Sequence, residues 1–370
     1  MVLYGIVTLF TIWLACLVNN QNRQSPCTRG QFVGFIAMGM IFAVLFLLAA
    51  LRIEVGNDYG TYVTTCHEIY NNGYVVTEPG YNLSVKILYF LSGKEDYLLM
   101  FAFYAFVTLF IFMKAMYEQS KSFTLTFFLF MTLGIYFRTF NTVRYYFVLA
   151  ITLYALRYVI KKEYGKFILL IILAATFHKS VLVVIPLYWI ANRKWKKWQI
   201  GLMVAAGIGM YLGQDMIMEL ALRLYPSYAD TIYLESGVGI RANLMGIIRC
   251  AAVLLFALPF YKKAIAGKED NQLYFNLNIL GLLMYTCGSF LPLASRFSYY
   301  LITPHIFLIP GIITCCDKKT AKRLTAIVAV AALIYFAIFL RSAHEEGLRV
   351  LPYKTWLFYE QEWLDATQIF

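Results

Sequence analysis

The sequence predicts an all-α integral membrane protein, on three observations. Sixty-one per cent of the 370 residues are hydrophobic, and the mean hydropathy is +0.65. Apolar runs of membrane length recur along most of the chain. Lys and Arg gather in short clusters between those runs, the pattern that orients a polytopic protein. The longest polar stretches, 52–96 and 341–370, carry aromatic and apolar residues suited to docking on the membrane part. Residues 1–370 therefore read as a single polytopic membrane domain, with no internal repeat and no low-complexity linker.

A net charge of +12 invites a nucleic-acid reading, but the placement of the charge argues against one. Nineteen of the 32 basic residues fall in six clusters: Arg23/Arg29, Lys114/Lys121, Arg157/Lys161/Lys162/Lys166, Arg193/Lys194/Lys196/Lys197, Lys262/Lys263/Lys268 and Lys318/Lys319/Lys322/Arg323. Five acids share those loops, namely Glu118, Glu163, Glu269, Asp270 and Asp317, and the other fifteen lie on the opposite side. The basic excess orients the chain and needs no polyanionic partner.

Threading the chain through these clusters starts it outside. The first run, 2–18, has no basic n-region and no small-residue cleavage site, so a retained helix is expected there rather than a signal peptide. Spans follow at 31–51, 97–113, 123–137 and 143–160. The stretch 167–190 is long enough for one helix, yet basic clusters flank both ends, and a single span would put one cluster outside. The preferred reading is two short helices, 167–177 and 181–190, turning at His178-Lys179-Ser180; such breaks are tolerated at membrane depth where protein or a water-filled cavity surrounds them. Further spans are expected at 198–213, 242–261, 272–291, 295–313 and 322–340. Residues 81–92 are too short to span and read as an interfacial or re-entrant helix. The count is about twelve transmembrane segments including the broken pair. The large loops, 52–96, 214–240 and 341–370, then face outside, and chemistry is expected on that face. The seven cysteines form no disulfide framework, because Cys27 and Cys66, the two in loops, fall on opposite sides.

Six ionisable residues stand beside membrane spans on the outer side: Arg52, Asp58, Glu78, Arg138, Arg144 and His178. Such groups are costly at membrane depth and by default mark a functional site. Each also has a bland reading. Asp58 and Glu78 sit where helices can begin, so an N-cap or a favourable charge at a helix start accounts for both. Asp58 shares a face with Tyr62 if a helix begins there. Arg138 and Arg144 can snorkel to the interface, though they lie on the side that should be poor in positive charge. Two Arg flanking one tight turn make an anion clamp, since the planar guanidinium binds two oxygens at once. Arg249, inside the span 242–261, needs an acid, an anion or water, and Arg296 at the start of 295–313 is a weaker case. A lone His is more often structural than catalytic; at a helix break His178 can serve as base or hydrogen-bond donor.

In combination these residues are similar to a known pattern. The segments are Arg52…Gly56-Asn-Asp58…Tyr62, Glu78-Pro-Gly-Tyr81, the Arg144-bearing start of a span, the basic Lys161-Lys162 loop and Ala-Ala-Thr-Phe-His178-Lys-Ser180. Over roughly residues 30–190 the chain resembles the EpsG family of bacterial polysaccharide polymerases, related to the Wzy-type O-antigen and capsule polymerases; the C-terminal half fits by hydropathy alone. The resemblance implies a GT-C-like glycosyltransferase architecture. It also implies undecaprenyl-pyrophosphate-linked oligosaccharide as substrate, at the outer face of the bacterial inner membrane, and a chain-length regulator as a further partner.

The residues suit such a substrate. A lipid pyrophosphate brings concentrated negative charge to the interface, which Arg138 and Arg144 can meet, with Arg52, Arg249 and Arg296 as further cations. Glycosyl transfer needs a base for the acceptor hydroxyl, and His178 and Asp58 rank ahead of Glu78 for that role. Arg residues would stabilise the departing pyrophosphate, so no cofactor or divalent metal is expected, in keeping with the lack of an Asp-X-Asp pair or of His/Cys ligand spacing. Tyr62, Tyr81 and Tyr145 are the rings assigned to sugar stacking, while most other aromatics belong to interfacial belts and helix packing. Rival readings are a flippase or transporter of lipid-linked oligosaccharide, against which stands the lack of a two-fold hydropathy repeat, and a ligase with almost the same residues.

Overall fold

The computed structural model describes residues 1–18, 29–224, 243–291, 294–344 and 348–358. The expectations for Arg23, Cys27, most of the loop 214–240 and the end of 341–370 lie outside the described residues. Among those described, regular structure is helical, and an isolated bridge joins Arg52 to Thr355. Helices α1 Val2–Ala15, α2 Arg29–Ala50, α3 Tyr59–Tyr70, α4 Pro79–Ser92, α5 Tyr97–Gln119 and α6 Phe123–Thr132 come first. They are followed by α7 Ile135–Arg138, α8 Val143–Ile160, α9 Tyr164–Ala175, α10 Val184–Ala191, α11 Lys197–Leu212 and α12 Gln214–Leu224. The rest are α13 Leu244–Ala257, α14 Glu269–Cys287, α15 Ala294–Ile302, α16 His305–Ile313 and α17 Lys318–Ser342.

Among the described residues, five stretches are long and apolar enough to cross a membrane: α2, α5, α8, Leu244–Ile265 and α17. A sixth is the pair Trp198–Leu212 and Gln214–Leu220, bent by 78° at Gly213. Shorter apolar helices are Val2–Ala15, Phe123–Thr132, Tyr164–Ala175 and Lys179–Ala191. The described residues are thus helical, with the apolar helices of a membrane protein.

Several expected spans are interrupted, and each break has a local cause. The span 123–137 stops at Thr132 because Gly134 adopts a left-handed φ of +69°; a Cβ there would meet the Phe339 ring at 2.9 Å. The span 295–313 is two helices, α15 and α16, parted at Thr303-Pro304, where proline lacks an N–H and disfavours a helical residue before it. The span 242–261 leaves α-geometry at Leu258–Phe260, around Pro259, and continues as a wider turn over Tyr261–Ile265. The stretch 167–190 does break beside His178: α9 ends at Ala175 and a tight turn of helix runs Lys179–Val183.

Two compact units result. The first comprises residues 1–154, 172–179 and 318–370. In it α2 packs on α1 and α5, burying Ala37, Ile41 and Leu45. Asp96 and Ser122 cap α5 and α6 by accepting from the amides of Leu99 and Leu125. The second unit comprises 155–171 and 180–317 and is built round α14, which packs on α10, α11, α13, α15 and α16. Three buried amides on α14 serve carbonyls. Asn271 donates to Ala264 O (2.7 Å), Asn276 to Ala191 O (2.8 Å) and Asn278 to Cys250 O (3.1 Å). Two of these acceptors, Ala191 at the end of α10 and Ala264 in the wide turn, stand where helical pairing fails, and a helix end without partners in an apolar surrounding would be costly.

Candidate active site

The loop after α2 is drawn tightly against the turn before α8. Gly56 has φ +104°, and a Cβ on it would collide with the Phe140 carbonyl, so glycine is required there. Asp58 begins α3, as the cap reading expects, but its side chain makes no cap bond. Its Oδ2 instead accepts from Thr142 Oγ1 at 2.9 Å, and its backbone N–H donates to Asn141 Oδ1 at 3.0 Å. One turn on, the Tyr62 hydroxyl accepts from the Arg144 backbone N–H at 3.2 Å. The start of α3 thereby holds the start of α8.

Glu78 likewise begins α4, with Pro79 in the first helical position, and makes no cap bond. The residue is 8 % exposed, and its carboxylate turns to three partners. One oxygen pairs with Arg144 Nη1. The other accepts from the Lys179 backbone N–H at 3.1 Å and lies 3.3 Å from His178 Nδ1. Burial acts to raise the Glu78 pKa, but the His178 bond, the Arg144 charge and the Lys179 amide outweigh it and hold the carboxyl at about 2. The group is therefore ionised and can only accept hydrogen bonds. His178 Nδ1 must be the donor, which leaves the lone pair of the neutral ring at Nε2.

His178 reaches this position because α9 is broken and the break is docked on α4. The Gly80 N–H donates to Thr176 O at 2.8 Å, and a Cβ on Gly80 would meet that same carbonyl at 2.8 Å. Phe177 packs edge-on against Phe147 at 5.0 Å, and the His178 ring stands 5.7 Å from Tyr145. The Arg144 guanidinium lies over Tyr81 at 5.1 Å and Tyr62 at 5.9 Å. Tyr62 and Tyr81 are buried and form the floor under the cation.

Glu78, Arg144, His178, Tyr62, Tyr81 and Tyr145 are thus one cluster, with Asp58 tied to it through Thr142. Of the other cations, Arg52 and Arg138 belong to the first unit. Arg52 is fully buried; it donates to Ala49 O at the end of α2 and lies over Phe101 and Phe140. Arg138 lies over Phe339 at 5.3 Å. Arg249 on α13 and Arg296 on α15 belong to the second unit; Arg249 Nε and Nη2 have no hydrogen-bond partner among the described residues. Among those residues no group of three or more His, Cys, Asp or Glu could hold a metal ion. Sequence reasoning missed Asn141, Thr142, Gly80 and the Lys179 amide. Their signals were the Asn-Thr pair between two Arg, the glycine after Glu78-Pro79 and the residue after His178, all readable as ordinary turn chemistry.

Among known proteins, the model of the EpsG family matches residues 35–355. No curated protein and no solved structure matches the chain.

Proposed function

This chain belongs to the EpsG family, and from that premise we propose that it is a polysaccharide polymerase. In this reading it transfers a glycan from a polyprenyl-pyrophosphate carrier onto a lipid-linked repeat unit at the outer face of the bacterial inner membrane. The observation that carries the proposal is the double engagement of Glu78, by His178 on one oxygen and Arg144 on the other. A carboxylate that orients a histidine through Nδ1 prepares Nε2 as a general base, as in hydrolytic triads. His178 Nε2 takes the proton of the acceptor hydroxyl as its oxygen attacks the anomeric carbon. The bond from that carbon to the pyrophosphate oxygen breaks, and the electron pair leaves with the pyrophosphate. Arg144 offsets the charge that builds on the leaving group. Glu78 is then a positioning residue and not the base, because a carboxylate held at about 2 is a weak proton acceptor at neutral pH. Asp58 positions the start of α8 through Thr142.

The proposal treats 1–370 as one polytopic membrane domain of GT-C-like architecture with about twelve segments, to which the long spans and the short apolar helices contribute. Its test is polymerisation in reconstituted membranes. The protein is given the lipid-pyrophosphate-linked repeat unit, with and without EDTA, beside His178→Ala, Glu78→Gln and Arg144→Lys. A ladder of products that disappears in the variants supports the proposal. Lipid-linked sugar crossing the bilayer without a ladder makes the protein a transporter, and a ladder unchanged in the variants moves the centre elsewhere.

A further inference from the structure

Glu78 begins a helix that is too short to cross a bilayer. The 14 residues of α4 are about 21 Å long, against ~30 Å of hydrocarbon. Yet α4 is apolar on two sides. Tyr81, Val85, Leu88 and Tyr89 are buried against the protein. On the other side Leu83, Ile87, Phe90 and Leu91 are 60 %, 49 %, 86 % and 73 % exposed. Their spacing places them on one continuous stripe. A stripe of large apolar side chains left open to water would be unusual on any soluble surface.

The depth of α4 says what covers it. The Tyr81 ring is 5.6 Å from Tyr104, and Ser84 Oγ is 2.7 Å from the Tyr104 hydroxyl. Tyr104 is the eighth residue of the span α5, about 10 Å along its axis. So α4 is level with the first third of a membrane span and does not ride above it. On α5 itself Phe103, Phe106 and Phe110 are also exposed, as large apolar side chains of a membrane span facing lipid are. The Lys86 ammonium points back to Asn72 Oδ1 at 2.9 Å, as a cation at the aqueous edge of an interface does.

We propose that the Leu83–Ile87–Phe90–Leu91 stripe lies in the interfacial layer of the bilayer, making α4 a lipid-embedded shelf that holds the Glu78 carboxylate at headgroup depth. A substrate whose reacting group is a lipid headgroup then reaches Glu78, Arg144 and His178 by moving sideways in its leaflet, without leaving the membrane. The placement does not depend on the reaction proposed above.

The test is photocrosslinking of the full chain in nanodiscs of phosphatidylethanolamine and phosphatidylglycerol. The photoreactive residue p-benzoylphenylalanine replaces Phe90, or Phe106 on α5 as the lipid-facing reference, and products are read by intact mass. The expected result is phospholipid adducts at Phe90 in yield comparable to Phe106. Crosslinks between two copies of the chain, or a yield at Phe90 an order of magnitude below the reference, overturn the proposal. If the Phe90 variant does not fold, the same replacement at Leu83 carries the test. Because the readout is depth and not catalysis, a lipid adduct in a protein that makes no polymer keeps the shelf and removes the polymerase. A polymerase without lipid adducts does the reverse.

Discussion

Two histidines, one in each compact unit, show how differently the same side chain can be used. His178 stands at a break between helices and leans on a carboxylate that also binds a guanidinium and a backbone amide. His305 stands at the start of α16, fully buried, with Nε2 2.7 Å from Asn278 Oδ1. Because Asn278 spends its NH2 on Cys250 O, its oxygen is the acceptor and His305 is the donor. The first arrangement stabilises an imidazolium and so suits proton transfer. The second offers only a neutral dipole and suits the joining of α14 to α16. A charged partner and partial exposure separate the candidate catalyst from the structural residue, which is fully buried against a neutral amide.

The largest effect is expected at Glu78. Glu78→Gln is expected to lower the polymerisation rate by roughly 10²–10⁴-fold, the range for losing a general base, because His178 loses its orienting charge. It also leaves the Arg144 cation without its acid, at a cost somewhat under the roughly 3–5 kcal/mol of a fully buried pair, which denaturation in detergent would report. The sign of the pH dependence follows from the depressed carboxyl. With Glu78 held at about 2, below its ordinary 4.5, the ionised form adds stability that is present in full above pH 4.5. That stability is lost as the pH falls toward 2. The Tm difference between wild type and Glu78→Gln should therefore shrink across that window; a difference independent of pH would remove the ion pair from the account.

Smaller effects sharpen the contrast. Gly80→Ala should push α4 away from the Thr176 carbonyl and cost about 1–3 kcal/mol, as overpacking does, with a fall in activity larger than in stability, read from Tm and rate together. His178→Ala and His305→Ala should diverge. The first removes activity with little change in Tm. The second strands the Asn278 oxygen, costs about 1–3 kcal/mol of stability and leaves the rate per folded molecule unchanged. Smallest is Thr142→Val, which deletes the bond to Asp58 at the partly open clasp and should cost roughly 0.5–1.5 kcal/mol with a modest loss of rate.

Much of the fold was legible because hydropathy and charge are local. The bounds of α8 coincide with the expected 143–160, and the basic loops around 161–166 and 193–197 correctly argued for a break between them. The interruptions at Gly134 and Pro304 were also written locally, yet the apolar runs through them outweighed one residue in a long window. The site was legible in its residue types but not in its roles. Asp58 and Glu78 both read as caps, and both do begin helices. Nothing nearby in the chain shows that their side chains turn away from the helix ends.

Local patterning was enough to read a helical membrane protein, to place most of its helices and to single out charged residues beside spans as candidates. Which of them meet is set by the packing of distant helices. Glu78 finds Arg144 across 66 residues and His178 across 100, so the pairing depends on how α4, α8 and α9 dock. The strongly depressed Glu78 carboxyl and the tautomer of His178 follow from that docking. The physical reason is range. Hydrophobic periodicity and loop charge act on neighbours along the chain, whereas an ion pair and the burial that strengthens it exist only once distant segments have been brought together.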